Sequence, residues 1–260
     1  MRAKKSYGQH FLTNEHYARQ IAQALELTDQ YKHVLEVGPG QGMLTKHLLD
    51  RRDDFHLKVS EADQDMVHYL RTHYPELSPD ILEGDFLRLP LETTFSGHPF
   101  GLVGNFPYNI SSQILIKLLD NYQLIPEMVG MFQKEVADRV ISDHGSKVYG
   151  VIGVLVQSRY APALVFNVSR GNFSPPPKVE SAVIRLVRRE TPLIPDAHYG
   201  LFKHVVKSAF GQRRKMLRNS LKSIFPAEVM ADLPLFERRP EQVSVADFVM
   251  LTERAIPHQP

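Results

Sequence analysis

The chain has 260 residues, 31 Lys and Arg against 29 Asp and Glu, a formal net charge of +2, and no cysteine. A chain of this length can bury a large core without staples, and the lack of thiols excludes disulfides and thiolate metal sites. The basic start Met1-Arg2-Ala3-Lys4-Lys5 is not followed by an apolar stretch, and no apolar run has the length of a membrane span, so a soluble, cytoplasmic protein is expected.

Asn14 is placed to cap a helix running to about Leu25. His33–Val37 reads as a short buried strand that runs into Gly38-Pro39-Gly40-Gln41-Gly42, followed by a helix over 43–49. Leu57–Glu61 reads as a second strand, with a helix from Asp63 to about Tyr74. Ile81–Glu83 is a third strand, closed by Gly84-Asp85. Gly101–Gly104 is a fourth, ending in Asn105-Phe106-Pro107-Tyr108, and Ser111 is expected to cap a helix to about Leu119. Met128–Phe132 is a fifth strand and Lys134–Ile141 a helix. This alternation implies βαβ units and a mostly parallel sheet, in which ligands bind outside the carboxyl ends of the strands. The Gly loop, Glu61, Asp85 and Asn105 all fall at such ends.

A break follows near Thr191-Pro192-Leu193-Ile194-Pro195, and beyond it the pattern is helical: about 199–210, 213–224 and 244–255. Two domains are therefore expected, 1–190 with a basic arm over 1–13, and a small helical domain over 191–260.

Charge is unevenly spread. Residues 1–14 carry Arg2, Lys4 and Lys5 and no acid; residues 197–227 carry Lys203, Lys207, Arg213, Arg214, Lys215, Arg218 and Lys222 and no acid. The remaining 21 basic residues face all 29 acids. Two concentrated basic patches on a near-neutral chain suit a polyanion such as nucleic acid, although solvated faces look the same. On a helix over 213–224, Arg214, Arg218 and Lys222 would share one face and could read phosphates.

Four constellations carry chemistry. In Glu36-Val37-Gly38-Pro39-Gly40-Gln41-Gly42, Gly38 and Gly40 allow close approach of backbone to a ligand. The spacing is G-x-G-x-G, not the G-x-G-x-x-G of a dinucleotide site, which argues against a nicotinamide oxidoreductase. Glu36 next to it suits a cationic ligand, such as the sulfonium and ammonium of S-adenosylmethionine, though a plain tight turn has the same residues. Glu61 can accept from both ribose hydroxyls and Asp85 from an adenine amine; each could instead only cap a helix. In Asn105-Phe106-Pro107-Tyr108, the Asn105 amide oxygen and the Phe106 carbonyl can hold the two N–H bonds of an adenine amine while its lone pair turns to a methyl group. Pro107 stiffens the turn and Tyr108 offers a stacking face. In Asn172-Phe173-Ser174-Pro175-Pro176-Pro177-Lys178, read as a rigid extended loop, Phe173 is the candidate second stacking face for a flipped base, with a core Phe as the alternative. The twelve His show no spacing that suggests a metal site.

These residues resemble the KsgA/RsmA group of ribosomal RNA adenine dimethyltransferases. The similarity covers Gly8-Gln9-His10-Phe11-Leu12, Glu36–Gly40, Asn105-Phe106-Pro107-Tyr108-Asn109-Ile110-Ser111, Gln133-Lys134-Glu135-Val136, Phe173 through Ser181, Gln212-Arg213-Arg214-Lys215 and Arg218-Asn219-Ser220-Leu221. It implies a Rossmann-like class I methyltransferase sheet with helices on both faces, and a helical C-terminal domain. It implies S-adenosylmethionine as cofactor, held by His10, Leu12, Gly38, Gly40, Glu61, Asp85 and Asn105, and no metal. The implied substrate is 16S rRNA in a preribosomal small subunit, dimethylated at two adjacent adenosines near its 3′ end. Arg213, Arg214, Lys215, Arg218 and Lys222 would meet the RNA, and a monomer with no membrane partner is expected. This sequence has His10 where many relatives have Asn, Phe106 where many have Leu, and Ser60 before Glu61 where relatives are more often apolar. The related Erm group methylates large-subunit rRNA; a ribosome-assembly checkpoint or mitochondrial-type transcription factor, with methylation secondary, is a rival of another class. The Glu237–Val245 tail and the Q-R-R-K stretch favour the KsgA type, and intact Asn105 and Tyr108 favour catalysis.

Overall fold

The computed structural model describes residues 9–258. Most of the basic arm expected over 1–13 lies outside them; the described residues divide into two compact units, one comprising 9–137 with 162–188, the other 138–161 with 189–258. The second unit thus gathers a segment from ahead of the break at Thr191–Pro195.

In the first unit, β1 (Phe11–Leu12) precedes α1 (Glu15–Gln23), whose N-terminus is capped by Asn14 Oδ1 accepting from the His16 amide. Then follow β2 (His33–Val37), α2 (Thr45–Leu49), β3 (His56–Glu61), α3 (Gln64–His73), β4 (Ile81–Glu83), α4 (Leu91–Thr94) and β5 (Gly101–Asn105). After these come α5 (Ser111–Asp120), β6 (Glu127–Gln133) and α6 (Lys134–Ile141), whose last four residues belong to the second unit. Asp63 caps α3, as its position predicts. Ser111 is the first residue of α5 rather than its cap; its Oγ donates to the Pro107 and Tyr108 carbonyls.

Next come α7 (Val151–Arg159), β7 (Tyr160–Val168), β8 (Phe173–Ser174) and β9 (Ser181–Arg188). The seven-stranded sheet has the order β4-β3-β2-β5-β6-β9-β7. Strands β2 to β6 run parallel and β9 is antiparallel to β6. Strand order reverses between β2 and β5, so the crevice for a ligand opens where Val37 and Asn105 end their strands. Buried Val34, Val59, Val103, Val129 and Val183 from five strands share one core with Ile21, Leu48 and Leu70 from the helices. A separate two-stranded pairing joins β1 to β8, with Leu12 opposite Phe173.

Glu127 is wholly buried, yet its carboxylate accepts from Tyr31 Oη, from the Glu26 and Leu27 amides and from Arg185 Nε. A buried acid with this many donors is a structural tie.

In the second unit, α7 buries Val154, Leu155 and Val156, and a Cβ at Gly153 would lie 2.3 Å from the Arg139 carbonyl oxygen. The remaining helices are α8 (Asp196–Gly211), α9 (Leu217–Ser220), α10 (Ala227–Asp232) and α11 (Val245–Ala255). Ser244 caps α11 in a reciprocal box with Asp247. The continuous helix expected over 213–224 is absent. Residues 212–214 form a turn, α9 has only four residues, and Met216 is extended. Three adjacent cations, like charges at i and i+4, and no acid weaken a helix here. Leu217 and Leu221 are buried instead at a kinked segment, and the Leu217 amide donates to the Arg238 carbonyl. Arg214, Arg218 and Lys222 therefore do not share one helical face.

Candidate active site

The loop after β2 turns through left-handed backbone at Gly38, Gly40 and Gly42. A Cβ at Gly40 would lie 2.9 Å from the Phe11 ring, and one at Gly42 2.5 Å from the Tyr74 ring, so the loop threads between two aromatic walls. Glu36, one residue before the end of β2, is buried and accepts a 2.7 Å hydrogen bond from Thr45 Oγ1. Burial pushes its pKa up to about 8; the Thr45 hydroxyl opposes this and the negative charge of Glu61 adds to it. Glu61, at the end of β3, takes the Gly40 amide on one oxygen (3.1 Å) and the Asp63 amide on the other (2.9 Å). Burial raises its pKa, and the backbone amides pull the other way. A carboxylate has about four acceptor sites, so these amides leave acceptor capacity for a ligand.

Two cavities meet at this loop. One, of about 270 Å³, is lined by His10, Gly38, Gly40, Glu61, Asp85, Asn105, Phe106, Pro107 and Tyr108 among others. The second, of about 210 Å³, is lined by Leu12, Glu36, Gly42, Lys46 and Tyr74 among others. Phe11, Gly38 and Asn105 line both. Every residue that the sequence assigns to cofactor binding lines one of the two, with Leu12 only on the second.

Asn105 ends β5, and its Nδ2 donates to the His10 carbonyl at 2.9 Å. That bond fixes which way the amide faces and leaves Oδ1 as an acceptor. The Phe106 ring is buried under the sheet, where a Cβ at Gly130 would lie 2.2 Å from it. Phe106 therefore offers the cleft main chain rather than its ring. Tyr108 shares a hydrogen bond with Ser181 Oγ, and its ring lies 5.3 Å from that of His10 at 30°. His10 Nδ1 bonds the Pro175 carbonyl.

Phe173 stands apart. It is 4% exposed, packs in the core with Leu12, and lines neither cavity. Several wall residues are given no site role by the sequence: Phe11 against Gly40 and Gln9, whose Nε2 donates to Asp63, both inside the Gly8–Leu12 motif, and Phe86 beside Asp85, which no motif marks. Gly84, at φ +127°, is the one signal for the tight loop that brings Asp85 and Phe86 to the cleft.

In the helical unit, Arg213, Arg214, Lys215, Arg218 and Lys222 are all exposed. Arg213 donates to the Lys147 carbonyl and Arg218 pairs with Glu237 at 2.7 Å. Arg214, Lys215 and Lys222 have no ion-pair partner among the described residues.

The family model described as "Ribosomal RNA adenine dimethylase" matches residues 1–249. A protein of Porphyromonas gingivalis named ribosomal RNA small subunit methyltransferase A is 49% identical over 254 residues, 97% of each chain. One of the same name from Cytophaga hutchinsonii is 46% identical over 252 residues, 97% of this chain and 96% of its own. The solved 23S rRNA methyltransferase ErmE superposes with a TM-score of 0.71 at 29% identity, covering 95% of this chain and 99% of its own. A dimethyladenosine transferase from Plasmodium falciparum gives a TM-score of 0.78 at 23% identity, covering 95% and 98%, which supports the shared fold. A cleft built at the strand ends of a mostly parallel sheet, and a match that spans nearly the whole sequence, lead to one assignment: the chain belongs to the ribosomal RNA adenine dimethylase family.

Proposed function

We propose that this protein is an S-adenosylmethionine-dependent enzyme that dimethylates the N6 amines of two adjacent adenosines near the 3′ end of 16S rRNA. We place its action on preribosomal small subunits in the cytoplasm, as a monomer. The observation that carries the reading is Asn105: its amide nitrogen is held by the His10 carbonyl, so its oxygen is left to accept from an incoming amine.

The residues present fit the cofactor. Left-handed glycines clear room for it, the buried Glu36 suits its positive charge, Glu61 could accept from its ribose hydroxyls, and Asp85 stands at the cleft wall where an adenine amine could donate. Bound S-adenosylmethionine supplies an electrophilic methyl group on its sulfonium. Asn105 Oδ1 and the Phe106 carbonyl would accept the two N–H bonds of the adenine amine and turn its lone pair out of the ring. Tyr108, held by Ser181, would stack on the extruded base. Holding the amine in this geometry supplies most of the acceleration. No strong base is needed, because the proton becomes acidic as the methyl attaches. Phe173 in its buried position would support β1 and β8 rather than meet the base. Arg213, Arg214, Lys215, Arg218 and Lys222 would contact RNA phosphates.

Relatives at 46–49% identity carry a small-subunit name, against 29% for ErmE, which favours the small subunit over the large. The test is methyl transfer from labelled S-adenosylmethionine to unmethylated small subunits and, separately, to large-subunit RNA, with nucleoside analysis. Dimethyladenosine in small-subunit RNA alone is expected. Label in large-subunit RNA would overturn the substrate assignment.

A further inference from the structure

We propose that Lys117 is a positioning residue for the adenine end of the cofactor, acting through the loop that carries Asp85 and Phe86. The inference rests on the reading of the cleft given above. After β4 the chain turns at Gly84 and makes a single 3₁₀ turn over Phe86–Arg88. One turn of 3₁₀ helix cannot hold itself together; it needs partners at its ends. At the start, the Gly84 amide donates to the Glu61 carbonyl, and Asp85 Oδ1 accepts from the Leu87 amide. At the far end the partner is Lys117. Its Nζ donates to the Leu87 carbonyl at 3.0 Å and the Leu89 carbonyl at 2.6 Å, and lies 5.2 Å from the centre of the Phe86 ring.

These bonds consume the ammonium. Among the described residues Lys117 has no ion-pair partner, and burial holds its pKa below the usual lysine value, with the Asp85 carboxylate opposing. A half-buried cation aimed at two carbonyls and a ring face fixes backbone and does not serve solubility. What it fixes is the wall of the cleft, since Asp85 and Phe86 both line it. The same helix, α5, meets the other wall at its first residue, where Ser111 bonds the Pro107 and Tyr108 carbonyls. One helix thus ties the cofactor's loop at Lys117 and the target amine's loop at Ser111.

The test is calorimetric binding of S-adenosylmethionine, S-adenosylhomocysteine and S-inosylhomocysteine to the full chain, with K117M, K117R and D85A compared to the unsubstituted protein. K117M is expected to weaken binding of both adenosyl ligands by about tenfold, and to narrow their advantage over the inosyl ligand, which lacks the amine that Asp85 would accept. K117R is expected to restore most of the affinity, because it still donates to carbonyls. Turnover of K117M at saturating cofactor should stay within about twofold of the parent. A lowered melting temperature with unchanged affinity and unchanged discrimination would make Lys117 a plain structural residue and overturn the proposal; if K117M does not fold, the same readings on K117A, which also removes the donor, decide it. If D85A weakens the adenosyl ligands and K117M does not, the inference alone fails. If D85A also leaves binding untouched, the adenine end of the cleft is misassigned and both fail.

Discussion

In the cleft, Asn105 has its amide nitrogen on the His10 carbonyl, Glu61 has a backbone amide on each oxygen, and the Tyr108 hydroxyl meets the fully buried Ser181. In the helical unit, Arg214, Lys215 and Lys222 project from exposed backbone, and what is buried is the apolar frame of Leu217 and Leu221. The first arrangement ties single atoms to named partners; the second presents charge over an area. Loss of one cleft group should therefore be abrupt and local, whereas loss of one surface cation should be graded and sensitive to salt.

The sharpest break of this contrast would come at Asn105. Asn105→Ala removes one of two acceptors that act on the amine in the transition state, and is expected to lower single-turnover rate by about 10²–10³ at saturating cofactor. Cofactor affinity should change by about threefold or less, a small fraction of that loss. Equal losses in rate and cofactor affinity would remove Asn105 from the role of acceptor. Next in size is Tyr108→Ala, at about 1–3 kcal/mol in kcat/KM for a lost stacking face. Tyr108→Phe keeps the ring and loses only the Ser181 bond, so it should match Ser181→Ala and be much milder. A Tyr108→Phe variant as impaired as Tyr108→Ala would mean that the hydroxyl, not the face, matters.

The helical unit should answer differently. Charge reversal at Arg214 and Lys215 is expected to weaken binding to small subunits, leaving cofactor binding alone. The slope of log affinity against log salt should fall by about one for each phosphate that these side chains no longer neutralise. An unchanged slope would take Arg214 and Lys215 out of the RNA interface.

The same contrast explains what is legible in the sequence. β2 to β6 can be read because each is a short apolar run, and the ends of the first four, at Gly38, Glu61, Asp85 and Asn105, carry the site. α7 cannot, because Val151-Ile152-Gly153-Val154-Leu155-Val156 is apolar all round; a buried helix with no polar face shows no period. Arg213–Ile224 misleads in the opposite sense: Leu217, Leu221 and Ile224 have helical spacing, but the kink at Met216 is set by tertiary packing. Phe173 carries no sign of its depth, since an aromatic before a proline run serves equally as a stacking face or a core anchor. Lys117 and Ser181 are invisible because each works on backbone or on another side chain far along the sequence.

The smallest expected effect tests whether the buried acids truly belong to a cationic ligand. Glu36 keeps its proton to about pH 8 against an ordinary value near 4.5. Because the native state holds this proton where the unfolded chain has lost it, the contribution to stability is present at low pH and declines as pH rises from about 4.5 to about 8. A sulfonium and an ammonium nearby favour the ionised carboxylate, so cofactor binding should release a proton and tighten with pH. Between pH 7 and pH 8 the ionised fraction grows from about one tenth to about one half, which corresponds to about fivefold in affinity. Calorimetry in two buffers of different ionisation heat would count the proton, and Glu36→Gln should flatten the profile. A flat profile in the unsubstituted protein would mean that the ligand's charge is answered elsewhere.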